Sequence, residues 1–131
     1  MATYLLDTNI IVDALNDKRN RNAALHNLAA TGHTLACCPI NVAEVCAGLR
    51  PKEEARTTAL LQSLKLYPIT FPVAELAGRL KREYGSKGKT LSIPDTIVAA
   101  VALHNELVLI TDNVKDFPME DLSLYPHPPS S

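Results

Sequence analysis

Three short runs limit what this chain can fold into. Tyr4-Leu5-Leu6, Thr34 to Cys38 and Leu107 to Thr111 are strand-length and almost wholly apolar. A strand with one wet face alternates apolar and polar residues, because successive side chains point to opposite faces. Leu107 to Ile110 does not alternate, so it reads as buried on both faces, the signature of a parallel sheet covered by helices. Each run stops at a residue that starts a helix or a turn: Asp7, Pro39 and Asp112 respectively.

The segments between these runs read as helices. Asp7-Thr8-Asn9 supplies capping side chains for a helix over Ile10 to Leu15. Asn20 to Ala30 reads as a second helix, ending at Gly32. Pro39 opens a third, running to about Leu49, with Pro51 beyond it. Lys52 to Leu64 is helical with Ala59, Leu60, Leu61 and Leu64 as its apolar stripe. Leu66 to Phe71 reads as a further strand, placed at a sheet edge by Pro68. Pro72 to Tyr84 is helical, closed by Gly85, and a polar loop covers Ser86 to Ser92. Pro94 and Asp95 open the most apolar helix, which runs to about His104, and Asp112 to Pro118 reads as a loop. Strands alternating with helices give an α/β fold with a mostly parallel central β-sheet flanked by α-helices. A length of 131 residues fits one domain, expected over residues 1–125, with a Pro/Ser-rich disordered tail at 126–131.

Composition narrows the function classes. Apolar residues make up 47%, enough for a sizeable core, while the net charge is −1. Bulk charge therefore does not mark a nucleic-acid binder, and any such surface must gather its cations locally. Two clusters do so: Lys18, Arg19 and Arg21, and Arg79, Lys81, Arg82, Lys87 and Lys89. Each can equally be a solvated face. The three cysteines, Cys37, Cys38 and Cys46, form no CxxC pair and lack zinc spacing with His, which fits a reducing compartment. The longest apolar run, Ile97 to Leu103, has seven residues, far short of a membrane span. A cytoplasmic protein with no membrane partner is expected.

Three carboxylates stand conspicuously alone. Asp7 is the only charged residue among the first twelve. Glu44 is the only one from Thr34 to Leu49, and Asp95 the only one from Thr90 to Asn105. Burying a lone carboxylate costs several kcal/mol. The economical reading is that the three meet and that a cation neutralises them. Asp7 directly follows a strand, and ligands of open parallel sheets bind at the carboxyl ends of strands. Two carboxylates about 5 Å apart repel by roughly 3 kcal/mol at an effective dielectric of 20. Oxygen-only donors favour Mg²⁺, with Mn²⁺ as a substitute, over zinc, and such ions suit phosphoryl transfer to water. Each acid also has a plainer reading: Asp7 and Asp95 as helix caps, and Glu44 as a solvated residue opposite a stripe of Val42, Val45, Cys46 and Leu49.

Four segments in order resemble the PIN-domain family. Leu5-Leu6-Asp7-Thr8-Asn9 resembles its opening motif, and Val42-Ala43-Glu44-Val45 with Gly48 its second. Ile93-Pro94-Asp95-Thr96-Ile97-Val98-Ala99-Ala100 resembles the third, and Leu109 to Phe117 the closing one. The resemblance spans about residues 3 to 117, and the compact layout is similar to VapC-type toxins of bacterial toxin–antitoxin pairs. It implies a homodimeric, Mg²⁺-dependent endoribonuclease (a hydrolase), in which metal-activated water attacks an RNA phosphodiester, and a cognate VapB-like antitoxin that occludes the site. Asp7, Glu44 and Asp95 would be metal ligands. Where the second motif usually has Ser or Thr before its Glu, this chain has Asn41. The fourth catalytic acid would be Asp112 or Asp116, with Asp112 preferred, because the closing motif places Asn113 where the family often has its acidic or amide residue.

Thr8, Asn9, Thr111 and Asn113 could orient carboxylates or waters around the metal, or simply cap helices and make turns. His104 reads as a helix-terminal residue favoured by the helix dipole. Two other functions share the architecture. A phosphoacceptor or phosphatase domain needs a paired acid beside Asp7 and a Lys after a later strand, and neither is present. A non-catalytic RNA- or protein-binding module of the same fold would have no need of all three acids.

Overall fold

The structure is a computed structural model, and it describes residues 1–125. The expectation of a disordered tail at 126–131 lies outside the described residues. In chain order the elements are β1 (Thr3–Leu6), α1 (Thr8–Leu15), α2 (Arg21–Ala30), β2 (Thr34–Cys37), α3 (Pro39–Ala47), α4 (Glu54–Ser63), β3 (Lys65–Leu66), α5 (Phe71–Ser86), α6 (Ile93–His104), β4 (Val108–Ile110) and β5 (Ser123–Leu124). Single 3₁₀ turns cover Pro51–Glu53 and Val114–Asp116.

All strand pairings are parallel, in the order β3-β2-β1-β4-β5. β1 is central, with Leu5 opposite Ala36 on one side and Leu109 on the other. The chain builds outward from β1 to β2 to β3, then returns to the far side of β1. The order therefore reverses between β1 and β4, and a crevice opens at their carboxyl ends, where ligands of such sheets bind.

Side-chain alternation splits the interior into two cores. Leu5, Ala36 and Leu109 point to one face, against Val73, Ala77 and Leu80 of α5 and the Val98–Ala102 run of α6. Tyr4, Leu6, Cys37 and Ile110 point to the other, against Ile10, Ile11 and Ala14 of α1, Leu25 of α2, Val45 of α3 and Leu61 of α4. Leu5 and Leu109 are fully buried, each contributing about 2 kcal/mol relative to exposure. Both faces being covered is why these strands read as continuously apolar. The three thiols are free, and burial pushes that of Cys37 up to about 11.

Several boundaries differ from expectation for identifiable reasons. The strand expected at 66–71 is only Lys65–Leu66 at the sheet edge. Tyr67 still donates its N–H to the Cys37 carbonyl at 2.9 Å, but Pro68 has no N–H to continue the ladder. Phe71, expected to close that strand, instead begins α5, which Thr70 caps. Gly85 does not close α5; the helix runs to Ser86, and Gly88, at φ +82°, takes the left-handed conformation beyond it. The buried face of α4 is Thr57 and Leu61, followed by Leu64, while Ala59 is exposed. In α3 the inward residues are Asn41 and Val45, and Cys46 faces outward. β5 is too short and too polar for its sequence to have announced it.

Candidate metal centre

Asp7 caps α1 at the point where β1 ends. Its backbone is extended (φ −68°, ψ 157°), its N–H donates to the Ile110 carbonyl at 3.0 Å, and its carbonyl accepts from Ile10. The cap reading therefore holds for this residue. One carboxylate oxygen accepts from the Thr8 N–H at 2.9 Å, and the other from the Thr111 hydroxyl at 2.7 Å. The residue is 7% exposed. Burial pushes the Asp7 carboxyl above its usual value. The Thr111 and Thr8 bonds pull against that, and the nearby charges of Glu44 and Asp112 add to it.

Thr8 joins the first acid to the second. Its hydroxyl donates to Glu44 Oε1 at 2.6 Å and accepts from Asn41 Nδ2 at 3.2 Å. Asn41 is fully buried, and its Oδ1 accepts the Cys38 N–H at 3.0 Å at the start of α3. The departure from Ser or Thr in this region thus has a structural role: Asn41 fixes the entry of α3 and, through Thr8, the position of Glu44. Glu44 itself is exposed, one helical turn along α3 from Asn41.

Asp95 enters from the opposite face of the sheet. It is the third residue of α6, whose cap is Ser92: the Ser92 hydroxyl accepts the Asp95 N–H at 3.2 Å. The carboxyl is half-buried and raised, by burial first, with the Ser92 hydroxyl opposing, and by the charges of Asp7, Asp116 and Glu44. The charge of Glu44 is thus felt at Asp7, and those of Asp7 and Glu44 at Asp95. Ser92 was not singled out from sequence, although Ser92-Ile93-Pro94-Asp95 is a readable Ser-x-x-Asp helix start.

The PIN domain profile matches residues 4–118. The chain belongs to the PIN-domain family. Among its relatives, Ribonuclease VapC19 of Mycobacterium tuberculosis is 32% identical over 115 residues, covering 88% of this chain and 92% of the relative. Among solved structures, VapBC2 of Rickettsia felis bound to a promoter DNA fragment contains a chain that superposes with a TM-score of 0.82 at 26% identity, covering 94% of this chain and 97% of that one. A toxin–antitoxin complex from Klebsiella pneumoniae contains another, with a TM-score of 0.75 at 32% identity, covering 91% and 94%.

The remaining residues of this PIN domain divide by their partners. Asp112 follows Thr111 beyond β4 and is ion-paired: Arg21 Nη2 contacts its Oδ1, and Arg19 Nη1 its Oδ2 at 3.3 Å. Asp116 closes the 3₁₀ turn, and its charge acts on Asp95. Asn113 donates its N–H to the Thr111 hydroxyl at 3.0 Å, so Thr111 bridges the closing loop to Asp7. Asn9 is exposed in the first turn of α1.

Arg21 departs from the expected solvent-facing phosphate contact. It is 8% exposed, lies 3.8 Å from Asp13 Oδ2 through Nε, and pairs with Asp112, so its charge is spent inside the protein. Lys18 and Arg19 remain exposed. In the second cluster Arg79, Arg82, Lys87 and Lys89 are exposed, while Lys81 is half-buried and donates to the Leu91 carbonyl. That bond ties α5 to the segment leading into Asp95.

The donors fit a hard divalent cation. Asp7, Glu44 and Asp95 offer only carboxylate oxygens, which suits Mg²⁺ or Mn²⁺ and not a thiolate- or imidazole-loving metal. Among the described residues, no group of three or more His, Cys, Asp or Glu side chains is already gathered closely enough to hold a metal. The raised carboxyls of Asp7 and Asp95 have the same origin: burial first, and then like charge from neighbouring acids.

Proposed function

We propose that this PIN domain is a Mg²⁺-dependent endoribonuclease, acting as the toxin of a VapBC-type toxin–antitoxin pair. The observation that carries this reading is the convergence of Asp7, Glu44 and Asp95. Each comes from a different element; the charge of Glu44 helps to raise the carboxyl of Asp7, and those of Asp7 and Glu44 help to raise that of Asp95. The ribonuclease name of the mycobacterial relative and the complexes containing the two structural neighbours support substrate and partner. A VapB-like antitoxin and a homodimer follow from the same reading. The exposed Leu66 and Phe71 support an apolar surface in the 52–84 stretch for assembly. Among the described residues no helix is long and apolar enough to cross a membrane.

A bound Mg²⁺ would offset the repulsion among the acids, polarise the phosphodiester and lower the pKa of a water. The chain's own residues supply orientation. Thr111 and the Thr8 N–H fix both oxygens of Asp7, so this acid is pre-set. The Thr8 hydroxyl holds Glu44 in register with it, and the Ser92 cap directs the first turn of α6, with Asp95, at the crevice. Asp112 and Asp116 are the candidate fourth acids, one set beside Asp7 and the other beside Asp95. Lys18, Arg19, Arg79, Arg82, Lys87 and Lys89 offer exposed positive charge for RNA phosphates, so affinity should fall steeply with salt as counterions are released.

The test is cleavage of a structured RNA pool by the antitoxin-free chain, with Mg²⁺ or with EDTA, beside Asp95→Asn. Cleavage that requires Mg²⁺ and disappears in the folded variant supports the assignment. Equal cleavage by both proteins rejects it.

A further inference from the structure

A polymer cut at the acid crevice must be held on either side of the cut. The basic clusters discussed above provide exposed charge but no enclosed space. A separate cavity of about 330 Å³ lies between α1, α3 and α4, lined among others by Glu44, Glu53, Gly48, Arg50 and Arg56. Its size falls at the lower end of the roughly 300–1,000 Å³ common for small-ligand pockets. Arg50 is held by Glu53 through Nε and Nη2, both at 3.2 Å, and its side chain is 71% exposed. Arg56 is anchored by Nη2 on the Leu15 carbonyl.

Gly48 supplies an independent observation. It caps α3 at φ −101°, a conformation open to any residue, so its backbone does not require glycine. A Cβ built there meets nothing within 4 Å, so packing does not require glycine either. Gly48 lines the cavity, and a side chain placed there starts from its wall into open space.

The geometry points to this cavity as a subsite for the RNA nucleotide next to the scissile phosphate, with Arg50 and Arg56 as its phosphate- or base-binding cations and Gly48 keeping it open. The inference rests on the nuclease reading and adds a substrate path to it. A guanidinium can pair with a phosphate bidentately or stack on a base. A wall of mixed polarity suits a nucleotide better than an apolar peptide side chain.

The experiment uses the full antitoxin-free chain and a labelled, mixed-sequence single-stranded RNA. Binding is followed by anisotropy in EDTA, where no metal-dependent cleavage occurs. Gly48→Leu fills the space without changing charge and should weaken binding by about tenfold, the scale of losing one base contact. Arg50→Gln and Arg56→Gln should each weaken it about threefold to tenfold and reduce the salt slope by roughly one. Melting temperatures, and the stabilisation of each variant by Mn²⁺, should match the unaltered chain. RNA affinity unchanged in Gly48→Leu would overturn the subsite. So would a variant that loses affinity for the cognate antitoxin but not for RNA, which would make the cavity an antitoxin contact. Failure of the unaltered chain to bind this RNA would overturn the subsite, while the nuclease reading stands or falls separately on Mg²⁺-dependent cleavage and its loss in Asp95→Asn.

Discussion

Asp7 and Asp112 end adjacent strands, only a few residues apart in space, yet the fold treats them oppositely. Asp7 is buried, and its charge is met by neutral donors, Thr8 and Thr111, and by other carboxylates. Asp112 is partly exposed and lies between two guanidinium groups. A chain able to place Arg21 beside Asp112 could have placed a cation beside Asp7. In the proposed nuclease, that raised carboxyl is the one offered to a cation from solution. The comparison sets a charge met by the protein's own guanidinium groups, Asp112, against one met by neutral donors, Asp7.

The strongest way to break the comparison is to neutralise the metal side alone. Asp7→Asn and Asp95→Asn should each reduce RNA cleavage by on the order of 1,000-fold, the scale of removing a principal electrostatic contact. Metal-free stability should move the other way. Both carboxyls are raised, so the folded chain binds more protons than the unfolded one just above the ordinary Asp range. Their stability contribution is therefore present at low pH and lost as pH rises through their titration. At neutral pH in EDTA, Asp7→Asn should be at least as stable as the unaltered chain in a urea melt. A large loss of stability would mean that Asp7 is chiefly structural.

The opposite pattern is expected on the architectural side. Arg21→Met removes the cation that Asp112 and Asp13 share and leaves Arg19 as a guanidinium on Asp112. Losing the buried partner of such a half-buried network should cost about 1–3 kcal/mol. The loss should appear in urea denaturation at neutral pH. Adding Asp112→Asn to the same chain should restore part of it, because the stranded charge is removed. Additive losses in the double variant would deny the coupling.

The two sides were also unequally legible in the sequence. Asp7 and Asp95 were readable as candidates because each is a single charge in an apolar stretch, a burial cost that demands a reason, whereas Glu44, equally isolated in sequence, is exposed. The three main strands were readable because a parallel sheet buried on both faces leaves no polar alternation. Arg21 was not readable: its burial depends on Asp112, 91 positions away, and nothing local distinguishes it from Lys18 or Arg19. Asn41 stood in a recognisable position, but its bonds to Cys38 and Thr8 exist only once α3 and α1 are packed. β5 was invisible for a different reason: two residues carry no period.

Thr111 sharpens the comparison on a finer scale, since it touches both sides. Thr111→Val removes the hydroxyl bond to Asp7 Oδ2 and the acceptor of the Asn113 N–H while keeping the volume. Metal affinity should drop about 10- to 100-fold, the usual effect of removing a ligand's hydrogen-bond partner. That bond lowers the Asp7 carboxyl, so the acid limb of the cleavage profile should move to higher pH. A calorimetric Mn²⁺ titration and a pH–rate profile would read the two effects separately.

The smallest effect is expected at Ser92, where cap and site coincide. Ser92→Ala should cost about 1 kcal/mol of stability as the first turn of α6 loses its side-chain acceptor. The Ser92 hydroxyl also holds the Asp95 carboxyl down, against burial and against the charges of Asp7, Asp116 and Glu44. Without it, Asp95 should titrate still higher, and metal binding should weaken at mildly acid pH and recover as pH rises. Ser92→Thr, which keeps the hydroxyl, should behave as the unaltered chain in both measurements. If Ser92→Ala lowers the melting temperature and leaves the pH dependence of Mn²⁺ binding unchanged, Ser92 is only a cap, and Asp95 owes its position to the packing of α6 alone.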